Sequence, residues 1–172
     1  VVKLDLGCGK NKQNGFIGVD SVPFEGVDVV HDLTTPWPWG DDSVDEVYCS
    51  HTLEHLTQEQ RCFFARELMR VLKAGAKATI ITPSWTSERA YGDPTHKWPG
   101  VCAMSYMYWN KAWRDINAPH TEEMLKGVDF DFGGGYNFDA EWINRNDEMR
   151  MFAAKNYLNA VSDLFVTVTK RG

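Results

Sequence analysis

A chain of 172 residues is long enough to bury one core without disulfide staples and short for two. Eighteen Lys and Arg against 24 Asp and Glu leave a net charge of −6, which disfavours non-specific grip on a phosphate backbone, while the 43% hydrophobic and 24% charged shares exclude a disordered or collagen-like chain. No apolar run approaches the roughly 18–20 residues of a membrane span, so a cytosolic address is expected, and four scattered cysteines without a CxxC pair indicate reduced thiols rather than a disulfide framework or a cysteine zinc site.

Val1 to Leu6 predicts a short strand running into Gly7-Cys8-Gly9, where glycines allow positive φ and close backbone approach. Phe16 to Asp20 follows an Asn14-Gly15 turn and Val27 to Asp32 follows Glu25-Gly26, so two further strands each finish on an aspartate. The prolines in Thr34 to Gly40 make that stretch a loop, and Asp45 to Ser50 predicts a fourth strand. Thr57 with Gln60 forms a capping box that opens a helix; Phe64, Leu68, Val71 and Leu72 share one face, and Gly75 supplies a stop. Ala78 to Thr82 predicts a fifth strand closed by Pro83, followed by an irregular aromatic stretch to about residue 127 with short helices near 105–113 and 121–126. Val128 to Phe132 predicts a strand ending at the Gly133-Gly134-Gly135 break, 146–159 a helix, and Asp163 to Thr169 a closing strand of alternating character.

This alternation predicts a single α/β domain over 1–172, with a Rossmann-like, mainly parallel sheet, helices on both faces and a shortened first crossover. In such sheets ligands bind beyond the carboxyl ends of the strands, where the glycine turn, Asp20, Asp32 and Ser50-His51 would all lie. The dinucleotide fingerprint is incomplete: Lys12 stands where a third glycine belongs, and Asp20 comes 11 residues after Gly9, too soon for a crossover helix. Losing that helix N-terminus counts against a pyrophosphate ligand and less against a nucleoside that carries no phosphate.

Leu4-Asp5-Leu6-Gly7-Cys8-Gly9, Gly18-Val19-Asp20, Val30-His31-Asp32-Leu33, Asp45 to Leu56 and Arg70-Val71-Leu72-Lys73-Ala74-Gly75 together resemble the motifs of the class I S-adenosylmethionine-dependent methyltransferases, in their small type-11-like branch. Asp93-Pro94-Thr95-His96 resembles an element that many relatives carry after the fifth strand. The resemblance implies S-adenosylmethionine as cofactor, held by Asp5, Gly7, Cys8, Gly9, Asp20, Asp32, Leu33 and Ser50. The glycine turn would approach the methionine moiety, with Asp5 orienting its ammonium directly or through the turn. Asp20 would accept from the ribose hydroxyls, since a carboxylate offers two acceptor oxygens, and Asp32 from the adenine amino group.

Methyl transfer from a sulfonium depends on alignment, and a base is needed only where the acceptor must lose a proton. His51 and His96 are the candidates, because histidine titrates near working pH. His51-Thr52-Leu53-Glu54-His55 also fits the inverted zinc-protease signature H-x-x-E-H, but the helix it requires starts only at Thr57. Trp85, Tyr91, Trp98, Tyr106, Tyr108, Trp109 and Trp113 predict an acceptor pocket or lid over about 84–127. A small molecule or a protein is the favoured acceptor, nucleic acid being disfavoured by charge. A catalytically silent S-adenosylmethionine-binding module and a zinc hydrolase built on His51 to His55 are the rival functions.

Overall fold

A computed structural model describes residues 1–172. Seven strands form one sheet in the order β3-β2-β1-β4-β5-β7-β6: β1 (Lys3–Leu6), β2 (Ile17–Asp20), β3 (Val29–Val30), β4 (Val44–Ser50), β5 (Leu72–Pro83), β6 (Phe130–Phe138) and β7 (Val161–Lys170). β1 to β5 pair in parallel, and β7 runs antiparallel to both β5 and β6. The helices are α1 (Gln58–Val71), α2 (Arg89–Gly92), α3 (Ala103–Met107), α4 (Lys111–Asn117) and α5 (Asp147–Asn156).

The mainly parallel α/β sheet agrees with the sequence, and its helix cover is unequal. Register aligns Leu4, Val47, Ala78 and Val168 across four strands, and Leu6, Cys49, Ile80 and Val166 beside them. These side chains are buried against Phe64, Ala65, Leu68 and Val71 of α1 and against Val101, Tyr106, Trp109 and Leu125. Tyr106 and Trp109, two of the seven aromatics expected to build a pocket or lid, are buried in the core and line a cavity within it. The opposite sheet face, with Lys3, Glu46, Tyr48, Thr79, Phe165 and Thr167, is only partly covered, because the connections β1–β2, β2–β3 and β3–β4 contain no helix.

Side chains replace those helices. The Pro/Trp loop before β4 is tied to α1, with Trp37 N–H donating to Glu67 at 2.7 Å and Arg70 donating to the carbonyls of Trp37 and Trp39. Arg114, fully buried, donates to the carbonyls of Tyr108, Leu125 and Val128, which satisfies a charge in the interior and knits residues 108–128 together.

The predicted capping box is present, with Thr57 and Gln60 each accepting from the other's backbone. Two boundaries depart from the sequence. Leu72 pairs with Val44, so tertiary pairing draws the chain into β5 three residues before Gly75, which sits inside the strand instead of ending the helix. The predicted 121–126 helix is a turn following a 3-10 turn at Pro119–Thr121.

The triple glycine does not break its strand; β6 passes straight through it. A Cβ on Gly134 would lie 2.2 Å from the Phe165 carbonyl oxygen, and one on Gly135 would lie 2.9 Å from the Phe165 ring, so absent side chains permit the close β6–β7 approach. Gly134→Ala is expected to destabilise the fold by about 1–3 kcal/mol through overpacking. Urea denaturation measures this, and an unchanged midpoint would contradict it.

Candidate active site

The carboxyl ends of β1 to β5 share one edge, and the glycine bend sits at its centre. Gly7 and Gly9 both have positive φ, +72° and +52°, for different reasons. A Cβ on Gly7 would lie 2.0 Å from Thr52 Oγ1, so the turn after β4 packs directly on the bend. A Cβ on Gly9 would meet nothing within 4 Å, which leaves that backbone open to a ligand.

Aspartates hold the bend. Gly9 N–H donates to Asp20 Oδ2 and Val22 N–H to Asp20 Oδ1, both at 2.9 Å. Each oxygen keeps a further lone pair for a ligand hydroxyl. Asp5 is only 2% exposed, and its Oδ2 accepts from Gln13 N–H at 2.7 Å beneath the bend. That burial raises its pKa and restricts it to acting through the turn. Asp28, which the sequence did not single out, accepts from Gly18 N–H and Lys12 Nζ, and these bonds keep its carboxyl below the ordinary range.

Asp32 lies next to Asp20: His31 N–H donates to the Asp20 carbonyl at 2.9 Å. The Asp32 side chain is exposed and accepts from the Thr34 amide and hydroxyl, which lowers its pKa and keeps it an acceptor. The Leu33 side chain is in the core, leaving its backbone as the part that can reach a ligand. Cys8 is buried, and burial together with the charges of Asp5 and Asp20 pushes its thiol up, so it is a packing residue. Ser50 ends β4 at the same edge.

His51 follows Ser50 with φ +54°, a left-handed conformation costly for a residue with a Cβ. Its Nδ1 is 3.2 Å from Oε1 of buried Glu54 and its Nε2 is 3.9 Å from Asp163, which also pairs with Arg89. The hydrogen bond to Glu54 raises its pKa despite partial burial, with the two carboxylate charges adding to the effect. His96 is placed differently: its side chain is 10% exposed, its Nδ1 meets the Ala90 carbonyl at 3.1 Å, and its ring stands edge-on to His55. Leu53–His55 is a single 3-10 turn, so His51 and His55 do not share the helix that H-x-x-E-H zinc binding requires. Glu54 was visible in the sequence only inside that signature; its role as the partner of His51 depends on the turn.

Connections from β5 and β6 close over the edge. The strand order brings residues 139–160, including α5, to the same end as 84–89, and Asn159 joins them by accepting from Glu88 N–H and donating to the Thr86 carbonyl. Trp85, Tyr91 and Trp98 are exposed there, and Trp142 stacks on Tyr157. A separate apolar cavity of about 410 Å³ lies between α1 and residues 99–125, lined by Leu53, Cys62, Tyr106 and Trp109 among others; none of the bend residues borders it.

The two glycines of the bend are expected to separate experimentally. Gly7→Ala collides with Thr52 and should lower Tm well below that of Gly9→Ala, which carries only the ~1–2 kcal/mol strain of a left-handed residue. Equal melting temperatures would contradict this division.

Residues 16–80 match a family model described as a methyltransferase domain, a span that includes Asp20, Asp32, His51 and Glu54 and begins after the bend. The chain is similar to a SAM-dependent methyltransferase from Archaeoglobus fulgidus, 22% identical with a TM-score of 0.70 over 98% of this chain and 85% of that one. It is also similar to a putative S-adenosylmethionine-dependent methyltransferase from Listeria monocytogenes, 13% identical with a TM-score of 0.54 over 99% and 91%. A third is phosphoethanolamine N-methyltransferase 2 from Haemonchus contortus in complex with S-adenosyl-L-methionine, 14% identical with a TM-score of 0.53 over 99% and 48%. No curated protein matches the sequence. At these identities the solved structures establish the fold. The family match spans β2 to β5, less than half of the chain, and the likeness to the solved methyltransferases is one of fold.

Proposed function

We propose that this chain transfers a methyl group to a small-molecule or protein acceptor at the carboxyl edge of its sheet, with S-adenosylmethionine held by the glycine bend, Asp20 and Asp32. The observation that carries this is the Asp20 carboxylate bonded to Gly9 N–H at 2.9 Å beside open space at Gly9. The residues fit the cofactor: a bare backbone for the methionine end, a two-oxygen acceptor for the ribose and an exposed acceptor at Asp32 for the adenine amino group. In this reading Ser50, at the end of β4, and the Leu33 backbone complete the set, and Asp5 fixes the bend through Gln13. When bound, the cofactor supplies a methyl group activated by a positively charged sulfur.

His51 is the catalytic residue in this proposal. Glu54 holds Nδ1, so Nε2 is the nitrogen free to take a proton from an acceptor hydroxyl or amine. His96, 10% exposed with its Nδ1 against the Ala90 carbonyl and its ring edge-on to His55, is the less accessible of the two. Trp85, Tyr91 and Trp98 offer exposed aromatic faces for the acceptor, so the 84–127 segment contributes recognition as well as core. No helix is long and apolar enough to cross a membrane, and the four free cysteines suit the reducing cytosol.

Calorimetry with S-adenosylhomocysteine, paired with a methyl-transfer screen, tests both halves. Asp20→Ala should weaken the ligand by ~1–3 kcal/mol through loss of a charged acceptor, and His51→Ala should leave binding intact while lowering turnover about 10²- to 10⁴-fold. Unchanged affinity in folded Asp20→Ala would refute the cofactor assignment. Undiminished turnover in His51→Ala would refute the base, and binding with no transfer to any acceptor would favour the silent module.

A further inference from the structure

We propose that Glu54, His55 and His96 form a binding site for a divalent transition-metal ion with zinc's preference for nitrogen and oxygen ligands, fastening the 93–97 segment to the turn after β4. A carboxylate oxygen of Glu54 and one nitrogen of each imidazole all lie within 4.8 Å of one another. This set is distinct from the H-x-x-E-H reading, since His51 is excluded and His96 comes from a loop 41 residues away in sequence from His55.

Three independent features point to a ligand. The first is an unmet acceptor. Glu54 is 4% exposed; its Oε1 accepts from His51, while its Oε2 is buried with no hydrogen-bond partner. A buried carboxylate oxygen without a partner is costly unless a cation or water completes it.

The second feature is the protonation pattern that the surroundings impose on both rings. Thr95 Oγ1 donates to Asp93 Oδ1 at 2.6 Å, so toward His55 Nδ1, 2.9 Å away, it can only accept. His55 therefore carries its proton on Nδ1 and its lone pair on Nε2. His96 Nδ1 faces the Ala90 carbonyl at 3.1 Å, which also can only accept, and this leaves Nε2 as the lone-pair nitrogen there too. Metal-binding imidazoles are characteristically fixed in this way, with the second N–H donated to an oxygen behind the ring. The third is a further carboxylate in reach: Asp93 Oδ2 lies 3.9 Å from His96 Nε2 and can serve as a fourth ligand.

The backbone already brings the two segments together. Lys97 N–H donates to the Glu54 carbonyl at 2.8 Å, and Arg61 donates to the carbonyls of Leu53, Lys97 and Pro99. Ligand atoms on one tetrahedral ion at about 2.0–2.2 Å lie about 3.3–3.6 Å apart, so binding draws the side chains inward by about 1 Å. Two imidazoles with one or two carboxylates match zinc and related divalent ions rather than magnesium or calcium, which select all-oxygen sites. Because Glu54 also orients His51, the ion would stiffen the wall of the proposed methyl-transfer site while standing independently of that function.

Zinc titration of the full chain after chelation, followed by calorimetry, elemental analysis and thermal melts, tests the site. One equivalent should bind and raise Tm. His55→Ala or His96→Ala should abolish the equimolar uptake, Thr95→Ala should weaken it about 10- to 100-fold by releasing the His55 tautomer, and His31→Ala and His120→Ala should bind as the parent does. Where a ligand variant fails to fold, X-ray absorption on zinc-loaded parent protein reads the ligands directly, with two imidazoles and only oxygen besides expected. Absence of equimolar binding, uptake that survives His55→Ala with His96→Ala, or a sulfur ligand from one of the four cysteines would overturn the proposal.

Discussion

The site depends on carboxylates that hold backbone amides. Parallel strands normally owe their spacing to crossover helices packed across the sheet, and here the first three connections contain none. Asp20 fixes Gly9 and Val22, Asp28 fixes Gly18, and Asp5 fixes Gln13, so charge-assisted hydrogen bonds set the path of a loop that a helix would otherwise brace. A hydrogen-bonded loop can be much shorter than a helix, which is how β2 returns to pair beside β1 after ten intervening residues. The consequence is a sheet with one well-covered face and one partly open face.

The same economy links fold to function. Asp20 stands where β2 ends, opposite Val30 of β3, and its carboxylate shapes the bend. Gly7 is bare because Thr52 presses on it, and Gly9 is bare with nothing against it. One glycine thus belongs to packing, and the other is the one the proposed function gives to the ligand. Glu54 plays a comparable double part in the turn after β4, one oxygen bonded to His51 while the other stays buried. The cap formed by residues 84–100 and 139–160 is joined at Asn159, which makes the rim of the site a product of β7 pairing between β5 and β6.

Much of this was legible in the sequence because it rests on local chemistry. Strands ending on Asp20 and Ser50, the glycine bend and the Thr57 capping box are short-range patterns that the fold left intact, whereas the strand expected to end on Asp32 is only Val29–Val30 and leaves Asp32 in the turn beyond it. What was not legible depends on partners distant in sequence. Leu72 enters β5 because Val44 pairs with it, and the triple glycine extends a strand because Phe165 lies against it. Tyr106 and Trp109 pack in the core, although composition alone could not separate them from exposed Trp85 and Trp98. Arg114 and Asp28 carry no motif, and their roles exist only once carbonyls or amides from other segments surround them. The division between His51 and His96 follows from contacts distant in sequence, Asp163 near the one ring and His55 against the other.

Two spaces in the molecule compete as the nucleoside site: the open carboxyl edge and the apolar cavity between α1 and residues 99–125. Backbone amide NMR during titration with S-adenosylhomocysteine distinguishes them directly. Shifts concentrated at Gly9, Asp20, Val22, Asp32 and Thr34 are the predicted result. Shifts confined to residues 99–125, or none at saturating ligand, would contradict the account.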